Sequence, residues 1–248
     1  MDIEQICRRH GIQNYTINED GSIDVDGSVN FFNRKLTELP LNFNIVDGNF
    51  TCAVNFLTTL KGSPKKVTGY FNCNNNEGLE SLEHAPVEVG GGFGGGNCGL
   101  TSLEHFPQSV GHKILLNNNS IESMKGLPSI CHDKLGLKEN KISSLEHIPN
   151  IIEGGVDLEG NLIRSFDYLP QEVKGTMDFY ANPIHKIYDF ENFEDMKTFK
   201  ILKVINKEGQ VNLKRLKYFY SIVGSKAVDH PKRLQSTIDR IEITYYVV

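Results

Sequence analysis

The chain has 248 residues, 39% hydrophobic and 23% charged, a balance that supports a packed core and excludes a disordered chain. No apolar run reaches the roughly 18 residues of a membrane helix, and Met1-Asp2-Ile3-Glu4 is not a basic-then-apolar leader, so a cytoplasmic protein with no membrane partner is expected. Net charge is −5, split as −9 over residues 1–190 (15 Lys+Arg, 24 Asp+Glu) and +4 over 191–248 (11 and 7), which argues against nucleic acid as partner because phosphate affinity rests on cations.

In chain order, residues 3–10 place Ile3, Ile6 and Cys7 on one side of a short amphipathic helix. Tyr15-Thr16-Ile17 and Ile23-Asp24-Val25 then flank the turn residues Asn18-Glu19-Asp20-Gly21, the pattern of a hairpin. Residues 1–27 therefore read as an N-terminal helix-and-hairpin cap that covers the first exposed strand edge.

A repeat occupies residues 28–190. Pro40, Pro64, Pro86, Pro107, Pro128, Pro149 and Pro170 follow one another at 24, 22, 21, 21, 21 and 21 residues, and a unit this short holds one strand and a return segment. Aligned on the prolines, about eight units share apolar, any, apolar, any, any, Asn, any, Leu/Ile, as in Phe50-Cys52-Asn55-Leu57 and Leu135-Leu137-Asn140-Ile142. That pattern resembles the leucine-rich-repeat signature. It predicts an α/β repeat solenoid, a horseshoe with a parallel concave β-sheet, an irregular convex side outside the sheet that carries the prolines, and an asparagine ladder bonding backbone groups between units.

Departures from the pattern are local. Cys98 replaces the ladder Asn, Gly95 replaces a buried side chain, Arg34 marks an imperfect first unit, and one extra residue near Gly78 predicts a bulge. Glycines ahead of the strands (Gly90, Gly91, Gly92, Gly111, Gly154, Gly155, Gly175) suit tight corners with positive backbone angles. No Lys and Ser/Thr follow them into a helix, so they are not a phosphate cradle. Five cysteines without a CxxC pair read as reduced thiols with no metal and no cofactor.

Beyond Asn182 the period becomes helical. Val211, Leu213, Leu216, Phe219, Tyr220 and Val223 share one face, Leu234, Ile238 and Ile241 repeat the spacing, and Thr244–Val248 ends the chain as a strand, so 191–248 is expected to be a helical (α+β) cap.

Strand neighbours of the buried residues face the concave side and form the candidate site: Tyr70, Asn72, Asn74, Gly94, Gly96, Leu115, Asn117, Lys138, Asp157, Glu159, Asp178 and Tyr180. The rows run from amide-rich, through a bare stripe at Gly92, Gly94 and Gly96 that would admit a partner's strand or loop, to a carboxylate cluster that would meet Lys or Arg. His84, His105 and His147 follow Glu83, Glu104 and Glu146 at equivalent convex turns and read as exposed turn residues without a nucleophile to serve.

Leu100-Thr101-Ser102-Leu103-Glu104-His105-Phe106-Pro107, the opening Gly11-Ile12-Gln13-Asn14-Tyr15-Thr16-Ile17-Asn18, and Asn182-Pro183-Ile184 leading into a helical tail resemble the leucine-rich-repeat proteins encoded by bacteriophages, over nearly the whole chain. In that family Gly commonly follows the Leu-Glu pair, whereas here His84, His105 and His147 stand in. The resemblance implies a non-enzymatic binder of a host or viral protein in the bacterial cytoplasm, with inhibition of a host defence factor as one role. The alternative is a virion component docking through its convex surface or C-terminal cap. Secreted bacterial leucine-rich-repeat ubiquitin ligases resemble the array too, but need a catalytic Cys in a large C-terminal domain, and no Cys follows Cys131.

Overall fold

The computed structural model describes residues 2–186, 193–206 and 210–223. Its body is a parallel β-solenoid of two ladders. The front sheet has eight two-residue strands, Val29–Asn30, Phe50–Thr51, Phe71–Asn72, Phe93–Gly94, Ile114–Leu115, Leu135–Gly136, Val156–Asp157 and Met177–Asp178, each paired in parallel with the next. Ile187, the 234–241 helix pattern and the final Thr244–Val248 strand lie outside the described residues.

The return segments are not irregular, as the sequence suggested. Just after each proline the chain enters a back sheet, six strands from Tyr15–Ile17 to Ser109–Val110 and three more from Ile130–Cys131 to Glu172–Val173. The proline sits just ahead of the strand, so its missing donor costs no ladder bond, and pairing starts at the next residue (Val87 N to Lys65 O, 2.8 Å; Gln108 N to Val87 O, 2.9 Å). Each back strand of the repeat contributes few buried residues and no alternation, whereas buried positions alternate through and beyond each front strand (Phe50 and Cys52, Leu135 and Leu137), which is why the repeat disclosed only its front ladder.

Apolar columns fill the space between the sheets. Phe50 stacks on Phe71 (5.6 Å, 5°) and Phe71 on Phe93 (5.5 Å, 23°), and the next inward column narrows to Cys52, Cys73 and Gly95 beside them. A Cβ on Gly95 would lie 3.0 Å from the Phe93 ring and 3.2 Å from Leu116, so large and small side chains compensate at core density.

Turns are tied by the predicted asparagine ladder. Asn140 is buried; its amide donates to Leu116 O and Leu137 O (both 3.0 Å), and its Oδ1 accepts from Ile121 N (3.0 Å). Asn55, Asn76, Asn119, Asn161 and Asn182 repeat this arrangement. Cys98 lacks the acceptor, and there the extra residue forms a turn at Glu77–Gly78 that lets Leu79 N bond Asn76 O (2.9 Å) instead.

Two columns of the array recur in left-handed backbone. Asn33, Val54, Asn75, Asn97, Asn118, Glu139, Gly160 and Ala181, each preceding a ladder position, have φ of 51–70°. Gly62, His84, His105, Gly126 and His147 have φ of 64–114°, so each of the three histidines occupies a position whose backbone favours glycine. Gly27 and Gly48 at the first two corners also have positive φ (137° and 159°), whereas the corner glycines from Gly69 onward do not use positive angles. They permit close approach: a Cβ on Gly111 would lie 2.0 Å from Gly90 O, and one on Gly154 2.6 Å from Asp133 C.

Glycine fills one corner column at Gly27, Gly48, Gly69, Gly91, Gly154 and Gly175, but His112 and Asp133 interrupt it. Between those two turns the back sheet breaks and no backbone bond joins 108–112 to 129–133, while the front ladder runs on (Ile114 N to Lys134 O, 2.9 Å). A Cβ on Asp133 stands where glycine otherwise lets the turns touch. The seam opens into a shallow groove of about 480 Å³ lined by Val110, Ser129 and His132.

At the N-terminal end, α1 (Ile3–His10) starts at Asp2, whose carboxylate accepts from Gln5 N (2.8 Å), and stops at left-handed Gly11. It buries Cys7 and sets His10 edge-on to Phe31 at 5.2 Å. The hairpin covers only the back sheet: Tyr15–Ile17 runs antiparallel to Ile23–Asp26, leaving Val29–Asn30 as an edge of the front sheet. After the array come α2 (Phe193–Ile201) and α3 (Leu213–Val223), the latter burying Leu216, Phe219, Tyr220 and Val223 on the face read from the sequence. Rings connect them to the last turns: Phe179–Phe166 5.2 Å, Phe166–Phe199 5.9 Å, Phe199–Phe219 5.1 Å.

Asn140→Ala leaves two buried carbonyls and one amide without their partner and is expected to cost about 3 kcal/mol in urea unfolding, against under about 0.5 kcal/mol for exposed Glu122→Ala. Val54 is β-branched at φ 58°; Val54→Gly is expected to gain about 1 kcal/mol and raise the melting temperature by roughly 2–4 °C, and Gly160→Val in the same column to lower it.

Candidate functional site

Side chains alternate across each front strand, so the residues between the buried columns form the outward face, and pairing fixes their rows: Asn72 beside Gly94, Leu115 beside Gly136, Gly136 beside Asp157, Asp157 beside Asp178. Tyr70 and Tyr180 stand five turns apart, roughly 24 Å at the usual strand spacing. The candidate residues thus make a strip, not one convergent cluster.

The middle of the strip is not bare. Gly92 and Gly96 are buried and Gly94 is half-buried, because side chains of the preceding turn lean over them. A Cβ on Gly92 would lie 2.7 Å from the Tyr70 ring, and one on Gly94 3.1–3.2 Å from the Asn72 and Asn74 amides. Asn74 Oδ1 accepts from Gly96 N (2.6 Å), and Asn117 Oδ1 from Lys138 N (2.9 Å). Glycine here makes room for the neighbouring side chain, and the close approach foreseen for a partner's backbone is already used internally.

Tyr70, 44% exposed, stacks on His112 at 6.4 Å with Lys113 Nζ 5.8 Å from its ring centre. At the other end, oxygens of Asp157, Glu159 and Asp178 lie within 4.8 Å of one another, the one group of three potential metal ligands among the described residues. Cations already face it: Lys138 Nζ is 2.7 Å from Glu159 and Lys134 Nζ 3.9 Å from Asp157. The bond to Glu159 holds the Lys138 ammonium above its ordinary pKa. Asp157 Oδ1 and Asp178 Oδ1 also accept from Glu159 N (3.3 Å) and Tyr180 N (2.8 Å), which fixes their rotamers.

Sequence reasoning missed Lys134, His112 and Lys113. They occupy columns beside the strands, and 21-residue offsets would have placed them: Lys134 before Gly155, His112 before Asp133 and Lys113 after Gly92. It also missed a row on the back sheet, where Glu153 lies 3.1 Å from both Lys174 and His132, which hold its carboxyl below the usual range. His84, His105 and His147 are half-exposed, each 3.8–4.0 Å from its neighbouring glutamate and outside the carboxylate group.

All five cysteines are unpaired thiols. Burial raises the Cys52 pKa, and a hydrogen bond with Cys98 together with burial raises that of Cys73, so both stay protonated at neutral pH. Among the described residues no helix is long and apolar enough to cross a membrane.

The fold defines a class, the parallel β-solenoid. Comparisons with protein-family models, curated proteins and solved structures find no match to this chain.

Lys138→Met leaves three neighbouring carboxylates facing mainly Lys134; it is expected to lower stability by up to about 1 kcal/mol at low ionic strength, with the loss shrinking near about 1 M NaCl in parallel thermal melts.

Proposed function

We propose that this chain is a non-enzymatic protein-binding module that uses the outward face of the front sheet. One observation carries the reading: eight strands in continuous register hold a graded strip, amide-rich at Asn72 and Asn74, apolar at Leu115, acidic at Asp157, Glu159 and Asp178. Functional side chains spread over such a length match a macromolecular surface better than a small substrate.

In this proposal the solenoid is a leucine-rich-repeat horseshoe of the bacteriophage-encoded kind, with the front sheet as its concave side, helix and hairpin as N-terminal cap and residues 191–248 as C-terminal cap. The asparagine ladder, the 21-residue step and the apolar columns support that assignment. The partner is then a host or viral protein met in the bacterial cytoplasm, and inhibition of a host defence factor is one role such binding serves. A second reading, docking into a virion through the C-terminal helices, draws support from Ile201 and Tyr218, 75% and 58% exposed on α2 and α3.

Affinity capture from phage-infected bacteria separates the two. The first reading expects a soluble stoichiometric partner that Asp157→Lys with Asp178→Lys releases by at least about tenfold; the second expects co-purification with particles, insensitive to that change. Capture unaffected by the double reversal would remove the front face from the interaction.

A further inference from the structure

Among the described residues the front ladder ends with its donors unused. In each turn three alternate amides point to the next: Val156 N donates to Thr176 O (2.7 Å), Leu158 N to Asp178 O (2.9 Å) and Gly160 N to Tyr180 O (2.9 Å). The equivalent donors of the eighth turn are Met177, Phe179 and Ala181. Among the described residues no strand pairs with Met177–Asp178 on that side, and none of these three amides has an acceptor. Twenty residues further on, where a ninth strand would supply carbonyls, the chain is the helix Phe193–Ile201.

Three amides on alternate residues, roughly 6.6 Å apart, match the carbonyl spacing along one side of an extended peptide. The side chain such a peptide places next to Asp178 continues the Asp157–Asp178 row, one strand spacing beyond it. The fold already contains the pairing this would make, since Lys138 reaches Glu159 across one turn at 2.7 Å. Asp178 is exposed, and its oxygens lie within 4.8 Å of those of Asp157 and Glu159.

We propose that the Met177–Ala181 edge takes an extended basic peptide as a ninth parallel strand, its carbonyls accepting from Met177, Phe179 and Ala181 and its outward Lys or Arg meeting Asp178 and Asp157. This deepens the protein-binding reading and rests on it, naming the chemistry of the bound segment and where on the sheet it lies.

The full chain is titrated with the labelled heptapeptide Lys-Val-Lys-Val-Lys-Val-Lys, its all-D enantiomer and the corresponding Glu-Val peptide. The L-Lys peptide binds, the D form, equal in charge but unable to continue the ladder, is weaker by at least about tenfold, and the Glu-Val peptide does not bind. Asp157→Asn with Asp178→Asn keeps the side-chain acceptors for Glu159 N and Tyr180 N and weakens the L-Lys peptide by at least about tenfold. In the saturated complex, hydrogen exchange at the Met177, Phe179 and Ala181 amides slows.

Equal binding of the enantiomers, unchanged exchange at those amides, or indifference to the double Asn variant overturns the proposal. So does protection of the same amides that grows with protein concentration in the absence of peptide, since a second copy is then the occupant. If the heptapeptide fails while Asp157→Lys with Asp178→Lys still releases a captured partner, the edge assignment falls and the front-face reading stands.

Discussion

The structure depends on satisfying buried backbone between turns that are too short to do so themselves. A two-residue strand contributes few ladder bonds, and the chain must then bend inward, taking carbonyls and amides out of water. One buried asparagine per turn answers this, donating to both its own turn and the preceding one and accepting from the latter, as Asn140 and Asn161 do. The exception supports the rule: where Cys98 removes the acceptor, one added residue redirects Leu79 N to Asn76 O, so a side-chain change and a length change compensate each other.

That bonding fixes the register, and the register fixes the surface. Once Asn72 lies beside Gly94 and Asp157 beside Asp178, the outward rows follow without further choice, and the carboxylates of two adjacent turns must share one patch. Lys138 and Lys134 offset the resulting repulsion. The same stacking explains why glycine has two unrelated duties. At the corners from Gly69 onward it removes a Cβ that would strike the neighbouring turn, whereas positive φ recurs in other columns, one of which accepts even Val54 and Ala181.

Much of this was legible in the residues. The proline period and the Asn-x-Leu/Ile pattern located every front strand, since buried positions there alternate over enough residues to carry a signal. The Asp157, Glu159 and Asp178 group followed from combining the two-residue alternation with the 21-residue step. The back sheet did not, because Lys66–Val67 or Glu88–Val89 contributes one buried residue and no alternation. The glycine stripe was misread for a related reason: sequence gives the absence of a side chain at Gly94 but not the lean of Asn72 and Asn74 across it. The 21-residue step puts Lys134 in the column of Gly155, but its reach to Asp157 (3.9 Å) depends on the conformation of a long flexible side chain. Ladder ends are legible only as the point where a period stops, and what their amides face is a property of the folded chain.

The interruption of the glycine corner at His112 and Asp133 sets the mechanics of the body. Five turns are laced on both faces and three more likewise, but the two blocks are joined through the front ladder and the asparagine turn beside it (Lys141 N to Ile121 O, 2.9 Å) and not through the back sheet, so they meet like the covers of a book joined along one spine. Opening the back of that seam breaks no backbone bond, whereas opening the back elsewhere in the array does. The stack is therefore least restrained on its back between the turns of Leu115 and Gly136, which lie between the aromatic-and-amide half of the strip and its acidic half.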